Sequence, residues 1–324
     1  MKTLYLWALA ALIVVCSCAR TAPAREEVQL PQPTFSLRLY PQGQGVDAGI
    51  VENGTAVTLG PLEDNGLRGP MEIDEQGRHG NVGDDARLDI YLPQNGNGQM
   101  IVDVPGGGYR IVSMNNEGVY AAKWCLDHGI ACCVVLYRMP NLHHGIPLRD
   151  VQNAFRYCRA HAAEWGVKQI GVMGYSAGGH LAASASTLYV DSLTRPDFSV
   201  LVYPVINLDS KEITHGGTRR NLTGDDSGLC EHYSLEHRVN AQTPPTFLAL
   251  SADDKVVPPE HSLLYFRQLL AHKVPVEMYI YPSGGHGWGF TTSEYGTDKL
   301  GASRPDFFSS LEHFLAAQRA QYEK

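Results

Sequence analysis

Short apolar runs bounded by Gly, Pro or Asp recur along the chain from about residue 87 onward. Their continuous Val, Ile and Leu content predicts strands that are buried on both faces, as in a parallel sheet. An earlier run, Arg87–Leu92, alternates polar and apolar residues, which predicts a half-exposed strand near a sheet edge. The predicted buried strands are Met100–Val104, Ile130–Leu136, Gln169–Met173, Ser199–Tyr203, Thr246–Leu250 and Val276–Tyr281.

Apolar residues at helical spacing lie between these strands. One such helix follows Asp150, which is a plausible N-cap, and two more are predicted over Leu263–Leu270 and Phe307–Leu315. Alternating strands and helices predict an α/β fold with a mostly parallel, doubly wound sheet and helices on both faces. Such sheets bind ligands beyond the carboxyl ends of their strands, which is where we look for chemistry.

The N-terminus has the features of an export signal. Lys2 precedes a short apolar run, which ends in Val15-Cys16-Ser17-Cys18. Because Ser17 is small, we expect residues 1–17 to be a lipoprotein signal peptide and Cys18 to be acylated; Cys16 follows a bulky valine and is the poorer acceptor. The alternative is an ordinary secretory signal that is cleaved near Ala22 or Ala24.

The remaining chain divides into a polar, Pro-rich tether over residues 18–35 and a folded domain over residues 36–324. The apolar content of the whole chain, 44%, is enough for a sizeable core. The net charge of −8 argues against a nucleic-acid partner and favours an uncharged substrate. The cysteines after Cys18 are odd in number and predict buried thiols rather than a disulfide framework: Cys125, Cys132, Cys133, Cys158 and Cys230.

A serine stands at the centre of the segment Gly174–Gly178, after one predicted strand and before helix-like residues. This is the G-x-S-x-G pattern in the strand–turn–helix setting that it requires. Without that setting, the segment would indicate no more than a glycine-rich turn. The sequence therefore predicts that Ser176 is a nucleophile.

A serine nucleophile needs a general base, and the base needs an orienting acid. In this type of fold the acid and then the histidine follow the serine along the chain. Asp253 and Asp254 come directly after one predicted strand, and His286 comes after the next. We expect His286 to be the base and Asp253 to be the acid, because Asp253 leaves the strand first. Asp254 and, less favourably, Asp209 are the alternatives.

A glycine run, Pro105–Tyr109, follows the first of the buried strands. Backbone N–H groups in such a loop can approach an oxyanion without interference from a Cβ atom. We therefore expect the N–H groups of Gly107 and Gly108, with that of Ala177, to form an oxyanion hole. Lipases and esterases carry HGGG here; Pro105 replaces the histidine, and the backbone donors remain.

Several motifs together resemble the α/β-hydrolase superfamily from about residue 87 onward: PGGGY, YRMP, GYSAGGHLA, ADDKVVP and GGHGWG. Within that superfamily they are similar to bacterial acetylxylan-esterase-like hydrolases. The resemblance implies an esterase that acts on acylated carbohydrate. The ADD, VVP and GGHG segments also resemble prolyl-oligopeptidase-type peptidases, but the chain before residue 87 is too short for their N-terminal propeller domain.

Features around the expected site complete the prediction. Residues 207–245 form a long polar connection, which is expected to be a cap over the site; a plain surface loop is the alternative. Tyr109 and Trp288 would suit stacking on a sugar ring, although core packing would explain them equally well. His143 and His144 lack further ligands at suitable spacing, and no metal or cofactor is expected.

The sequence thus predicts a serine carboxylesterase that removes acetyl or similar small acyl groups from xylan or another carbohydrate. The alternatives are a prolyl-oligopeptidase-like serine peptidase and a glycan-binding lipoprotein whose hydrolase fold is idle. The expected partners are the acylated carbohydrate and, through Cys18, a membrane. The expected location is the bacterial cell envelope, either periplasmic or on the outer surface.

Overall fold

The computed structural model describes residues 29–39, 50–52, 55–57 and 70–322. The predicted signal peptide, Cys18 and most of the predicted tether lie outside these residues. Among the helices that are described, none is long and apolar enough to cross a membrane.

The strands and helices alternate along most of the described chain. The strands are β1 Phe35–Arg38, β2 Ile50–Glu52, β3 Thr55–Val57, β4 Glu72–Ile73, β5 Arg78–Gly80, β6 Arg87–Tyr91, β7 Gln99–Val104, β8 Ile111–Ser113, β9 Ala131–Leu136, β10 Gln169–Tyr175, β11 Ser199–Val202, β12 Thr246–Ser251 and β13 Val276–Tyr281. The helices are α1 Tyr120–Asp127, α2 Ile146–His161, α3 Ser176–Thr187, α4 Gly216–Thr223, α5 Ser227–His232, α6 Glu260–Ala271 and α7 Arg304–Tyr322.

Eight strands form the central sheet, in the order β1-β6-β9-β7-β10-β11-β12-β13. The six strands from β9 to β13 in this order run parallel, whereas β6 is antiparallel to β9 and β1 is antiparallel to β6. Helices pack against the sheet, α2 on β9, α3 on β10, α6 on β13 and α7 on β12. The predicted α/β-hydrolase fold, with its mostly parallel sheet, is confirmed.

All six predicted strands are present, within two residues of their predicted ends. The side chains of β7, β9, β10, β11 and β12 are buried along their whole length, as their apolar sequences require. The edge strand β13 is more exposed, because it has a neighbour on one side only. The carboxyl ends of these parallel strands therefore meet at one edge of the sheet, where the chemistry was expected.

The prediction of a half-exposed strand over Arg87–Leu92 is wrong in its exposure. Strand β6 is almost wholly buried, because β1 pairs with its outer edge. Its polar residue Asp89 accepts hydrogen bonds from Ser36 Oγ at 2.6 Å and from Arg87 Nε at 2.9 Å. The polar positions of this alternation therefore form a partly buried ion pair rather than a solvent-facing side.

Helix α2 begins at Ile146, and Asp150 is not its N-cap. Asp150 is fully buried and pairs with Arg138, whose Nη2 lies 2.6 Å from Asp150 Oδ1. A buried carboxylate with this partner is engaged in tertiary structure and is unavailable for capping. The prediction for the cysteines after Cys18 is confirmed, since all five are free and buried.

Candidate active site

Ser176 lies on a sharp turn between β10 and α3. Its φ of 54° is in the left-handed region, which is unusual for a residue with a side chain. The turn requires glycine nearby: a Cβ on Gly174 would clash with the carbonyl of Gly178, and a Cβ on Gly178 would clash with the carbonyl of Val104. Close packing of the turn thus holds the serine at the carboxyl end of the sheet.

A continuous hydrogen-bonded chain begins at Ser176. Its Oγ lies 2.9 Å from Nε2 of His286. The other ring nitrogen of His286, Nδ1, lies 2.7 Å from Oδ2 of Asp254. The structure therefore brings the predicted nucleophile and the predicted base into contact, with an acid on the far side of the base.

The expectation that Asp253 is the carboxylate on His286 is wrong. Asp253 is exposed, and its Oδ1 accepts from the backbone N–H of Gly285 at 2.8 Å. The tight turn after β12 directs Asp253 outward and Asp254 inward, where the Asp254 side chain is completely buried. The weaker alternative, Asp209, is exposed and does not line the site.

The surroundings of Asp254 keep it ionised. Burial opposes its charge, but hydrogen bonds outweigh burial and hold the pKa of Asp254 below its ordinary value. These bonds come from His286 and from the N–H groups of Val256 and Val257, at 2.9 Å and 3.0 Å. A buried, charged acid of this kind fixes the orientation of the imidazole.

The glycine loop faces the serine. Gly107 and Gly108 both have positive φ, at 136° and 67°, and both line the same cavity as Ser176. Their N–H groups donate to no protein acceptor within the described residues. Ala177 is the second residue of α3, and N–H groups in the first turn of a helix have no partner within it. These three N–H groups therefore have no acceptor in their own loop or helix, and their joint action as an oxyanion hole stays a prediction.

A buried glutamate that the sequence reasoning missed joins the two loops of the site. Oε2 of Glu117 accepts from the N–H of Gly106 at 2.8 Å, and Oε1 accepts from the hydroxyl of Tyr203 at 2.8 Å. That hydroxyl in turn accepts from the N–H of Gly289 at 2.7 Å, three residues after His286. Glu117 therefore connects the glycine loop to the loop that carries the histidine.

Nothing in the sequence marks Glu117. It lies in a π-helical turn, Asn115–Val119, a geometry often found at functional sites but without a sequence signature. Burial raises the pKa of Glu117, although its bonds to Tyr203 and Gly106 act in the opposite direction. The carboxyl is held in place by these two protein donors.

Ser176 and His286 lie at the floor of an open cavity of about 660 Å³. The segment 207–245, which was expected to be a cap, contributes one wall through α4 and the residues beside it. Asn221 of this helix donates to the carbonyl oxygen of Gly108 at 2.8 Å, so the wall is attached directly to the glycine loop. The residues from this segment that line the cavity are His215, Gly217, Arg220 and Asn221.

The expected sugar platforms are buried. Tyr109 is 2% exposed, and its hydroxyl contacts Nδ1 of His180 at 2.9 Å. Trp288 is 1% exposed, and its indole N–H donates to Ser251 Oγ at 3.1 Å. Both rings pack among other aromatic residues, so the expectation that they stack on substrate is wrong.

The His143–His144 pair contributes no metal cluster within the described part of the chain. Nδ1 of His144 instead contacts the hydroxyl of Tyr233 at 2.8 Å.

A known protein family matches the part of the chain that carries the first half of this site. A profile of the BD-FAE family matches residues 88–197, which include the glycine loop and Ser176. An acetylxylan esterase from Xylanibacter ruminicola is 38% identical over 222 residues, which are 65% of this chain and 46% of that protein. An endo-1,4-beta-xylanase B from Butyrivibrio fibrisolvens is 33% identical over 211 residues, 59% of this chain and 33% of that protein. The chain thus spans less than half the length of either relative.

This chain covers a larger share of two solved structures than of these two relatives. An acetyl ester-xyloside bifunctional hydrolase from Caldicellulosiruptor lactoaceticus superimposes with a TM-score of 0.62 at 33% identity, covering 70% of this chain and 89% of that chain. A sugar hydrolase from Lactococcus lactis gives a TM-score of 0.65 at 28% identity, covering 74% of this chain and 97% of that chain.

Proposed function

Because this chain belongs to the esterases of the α/β-hydrolase superfamily, we propose that it removes acetyl groups from an acylated carbohydrate such as xylan. The observation that carries the proposal is the hydrogen-bonded chain from Ser176 through His286 to Asp254, beside a loop with free backbone donors. The similarity to an acetylxylan esterase and to an acetyl ester-xyloside hydrolase supports the acetylated sugar as substrate.

In the proposed reaction, His286 takes the proton of Ser176 while Oγ attacks the carbonyl carbon of the acetyl group. The N–H groups of Gly107, Gly108 and Ala177 stabilise the negative charge that develops on the carbonyl oxygen. The bond to the sugar oxygen then breaks, and His286 returns its proton to that oxygen. Water, activated by the same histidine, attacks the acetyl-enzyme and releases acetate.

Asp254 has a separate part in this proposal. It holds Nδ1–H of His286, so that Nε2 faces the serine, and its charge stabilises the imidazolium that forms during attack. Because its pKa is lowered, Asp254 remains charged while the histidine cycles between its two protonation states. No step in this reaction requires a metal or a cofactor.

We also propose that Cys18 carries a lipid and that the domain acts at the bacterial cell envelope. The short apolar run that ends in Ser17-Cys18 supports this location. An enzyme that acts on a polymer outside the cell would gain access to its substrate from such a position.

Acetate release tests the proposed activity. The purified protein should release acetate from acetylated xylo-oligosaccharides and from 4-nitrophenyl acetate, and it should not cleave Gly-Pro 4-nitroanilide. Ser176→Ala should lower kcat by about 10⁶ and leave the folded structure intact, as judged by circular dichroism.

Two outcomes would support other functions. Anilide cleavage that is as fast as ester cleavage would favour the serine peptidase. Tight binding of the oligosaccharide without any acetate release would favour a glycan-binding protein.

A further inference from the structure

The rim of the cavity carries positive charge, although the chain as a whole has a net charge of −8. Arg78, Arg110, Arg220 and Lys299 all line it and are all exposed. Among the lining residues that the structure describes, the carboxylate present is that of Glu117, which is buried and bonded to protein donors. The charge at the mouth of the site is therefore opposite in sign to that of the whole protein.

Two of these cations bind neither a carboxylate nor a backbone carbonyl through their side chains within the described chain. Arg78 pairs with Asp74 at 2.6 Å, and Nζ of Lys299 donates to a backbone carbonyl at 2.7 Å. Neither Arg110 nor Arg220 makes an ion pair with any residue that the structure places. Their guanidinium groups are therefore available to a ligand.

The two adjacent arginines of α4 show the contrast most clearly. Arg219 is buried, and its Nε lies 2.8 Å from Asp225. Arg220 is exposed at the cavity and lacks such a partner. One arginine of the helix thus stabilises the fold, while its neighbour faces the space that substrate would occupy.

Arg110 and Arg220 also lie where the cavity continues into a second one. The second cavity, of about 390 Å³, shares both arginines with the first, together with Ile111 and Asn221. The carboxylate that lines the second cavity, Glu72, is exposed. A carbohydrate whose acetyl group reaches Ser176 would extend past the two arginines into this space.

The two arginines belong to one connected unit. Arg110 closes the turn of the glycine loop through its N–H, which donates to the carbonyl oxygen of Gly107 at 3.1 Å. The residue after Arg220 is Asn221, whose side chain binds the carbonyl oxygen of Gly108 at 2.8 Å. A ligand held by both arginines would therefore be positioned relative to the same loop that faces the scissile ester.

On the basis of the proposed esterase function, we propose that Arg110 and Arg220 bind a carboxylate of the carbohydrate. The substrate would then be an acetylated polysaccharide that carries a uronic acid close to the acetylated sugar. The planar guanidinium group matches the geometry of a carboxylate and can bind it through two parallel hydrogen bonds. A local concentration of one charge in a cleft attracts a substrate of the opposite charge, whatever the net charge of the protein.

A matched pair of substrates tests this proposal. One is an acetylated xylo-oligosaccharide with a glucuronic acid branch, and the other is the same oligosaccharide with that carboxyl group reduced to an alcohol. At low ionic strength, kcat/KM should be about tenfold higher for the acidic substrate, since charge-assisted hydrogen bonds are the stronger ones. Added salt should reduce this preference, because the arginines are exposed and their charge is screened.

Substituting each arginine in turn shows which of them produces the preference for the acidic substrate. Arg110→Gln and Arg220→Gln should each lower the ratio of kcat/KM for the acidic substrate to kcat/KM for the reduced substrate several-fold, mainly through a higher KM for the acidic substrate. Arg267→Gln is the matched control, because Arg267 is exposed on α6 and does not line either cavity. This control should keep the full preference.

The outcomes separate this proposal from the esterase function on which it rests. Equal kcat/KM values for the two substrates would overturn the carboxylate site and leave the esterase function standing. A preference that survives in both arginine variants would overturn the assignment to these residues. Failure to release acetate from either substrate or from 4-nitrophenyl acetate would overturn the esterase function itself.

Discussion

The floor and the rim of the cavity are built in different ways. At the floor, Ser176, Asp254 and His286 come after strands of the sheet, and Glu117 lies within a π-helical turn. Each is held by hydrogen bonds within the protein. The rim comes from loops and from α4, and some of its cations have no protein partner in the described chain. We infer that the floor cleaves the ester and that the rim selects the molecule that carries it. Substitutions at the floor should therefore lower kcat more than substitutions at the rim do. The loss at the floor should also depend less on which substrate is used.

The two neighbouring aspartates at the floor give the sharpest test of this difference. Asp254→Asn should lower kcat by about 10⁴, because an amide cannot stabilise the imidazolium and favours the wrong tautomer of His286. Asp253→Asn is the matched control: it retains an oxygen for the N–H of Gly285 and should change kcat by less than about tenfold. Steady-state kinetics on 4-nitrophenyl acetate measures both. A larger loss in Asp253→Asn would show that the acid is misassigned.

Glu117 should have the next largest effect. Glu117→Ala leaves the buried donors of Gly106 and Tyr203 without their acceptor, which costs on the order of 1–3 kcal/mol for each donor. Since one of these donors lies in the glycine loop, we expect kcat to fall by roughly 10- to 100-fold with a much smaller change in KM.

Glu117→Gln distinguishes positioning from mere packing at the same site. Its side-chain oxygen can still accept from Gly106, whereas its NH2 group cannot replace the acceptor of the Tyr203 hydroxyl, so part of kcat should return. Full activity in Glu117→Ala would contradict a role in positioning the loop. Equal losses in both variants would indicate that the charge of Glu117, rather than its hydrogen bonds, is what the site requires.

The smallest effects are expected at the rim. There, loss of Arg110 or Arg220 should change the choice between acidic and neutral substrates, without a comparable loss of turnover on a small aryl ester. A rim substitution that abolishes aryl-ester turnover would remove the distinction between the two regions.

The parts of the site that the sequence predicted are those fixed by local geometry. Ser176 and the glycine loop occur in short motifs at strand ends, where the backbone itself requires glycine. His286 follows the last strand so closely that the parallel sheet must bring it to the same edge. These features depend on a few consecutive residues and on the order of strands.

The parts that the sequence did not predict depend on contacts between distant segments. The choice between Asp253 and Asp254 depends on how one turn rotates, since either residue has suitable chemistry. Glu117 is defined by bonds to two loops far away in the chain, and its π-helical turn leaves no pattern. The burial of Tyr109 and Trp288 likewise follows from packing that aromatic content alone does not reveal.

In the proposed mechanism, acyl groups are transferred to Ser176 before water releases them, and partitioning between water and methanol tests this step most directly. Several aryl acetates with different leaving groups are hydrolysed in dilute methanol, and the ratio of acetic acid to methyl acetate is measured for each. If all substrates pass through one acetyl-enzyme, the ratio is the same for every leaving group, and Ser176→Ala yields neither product. A ratio that changes with the leaving group would show that water attacks the bound ester directly, which would contradict the account.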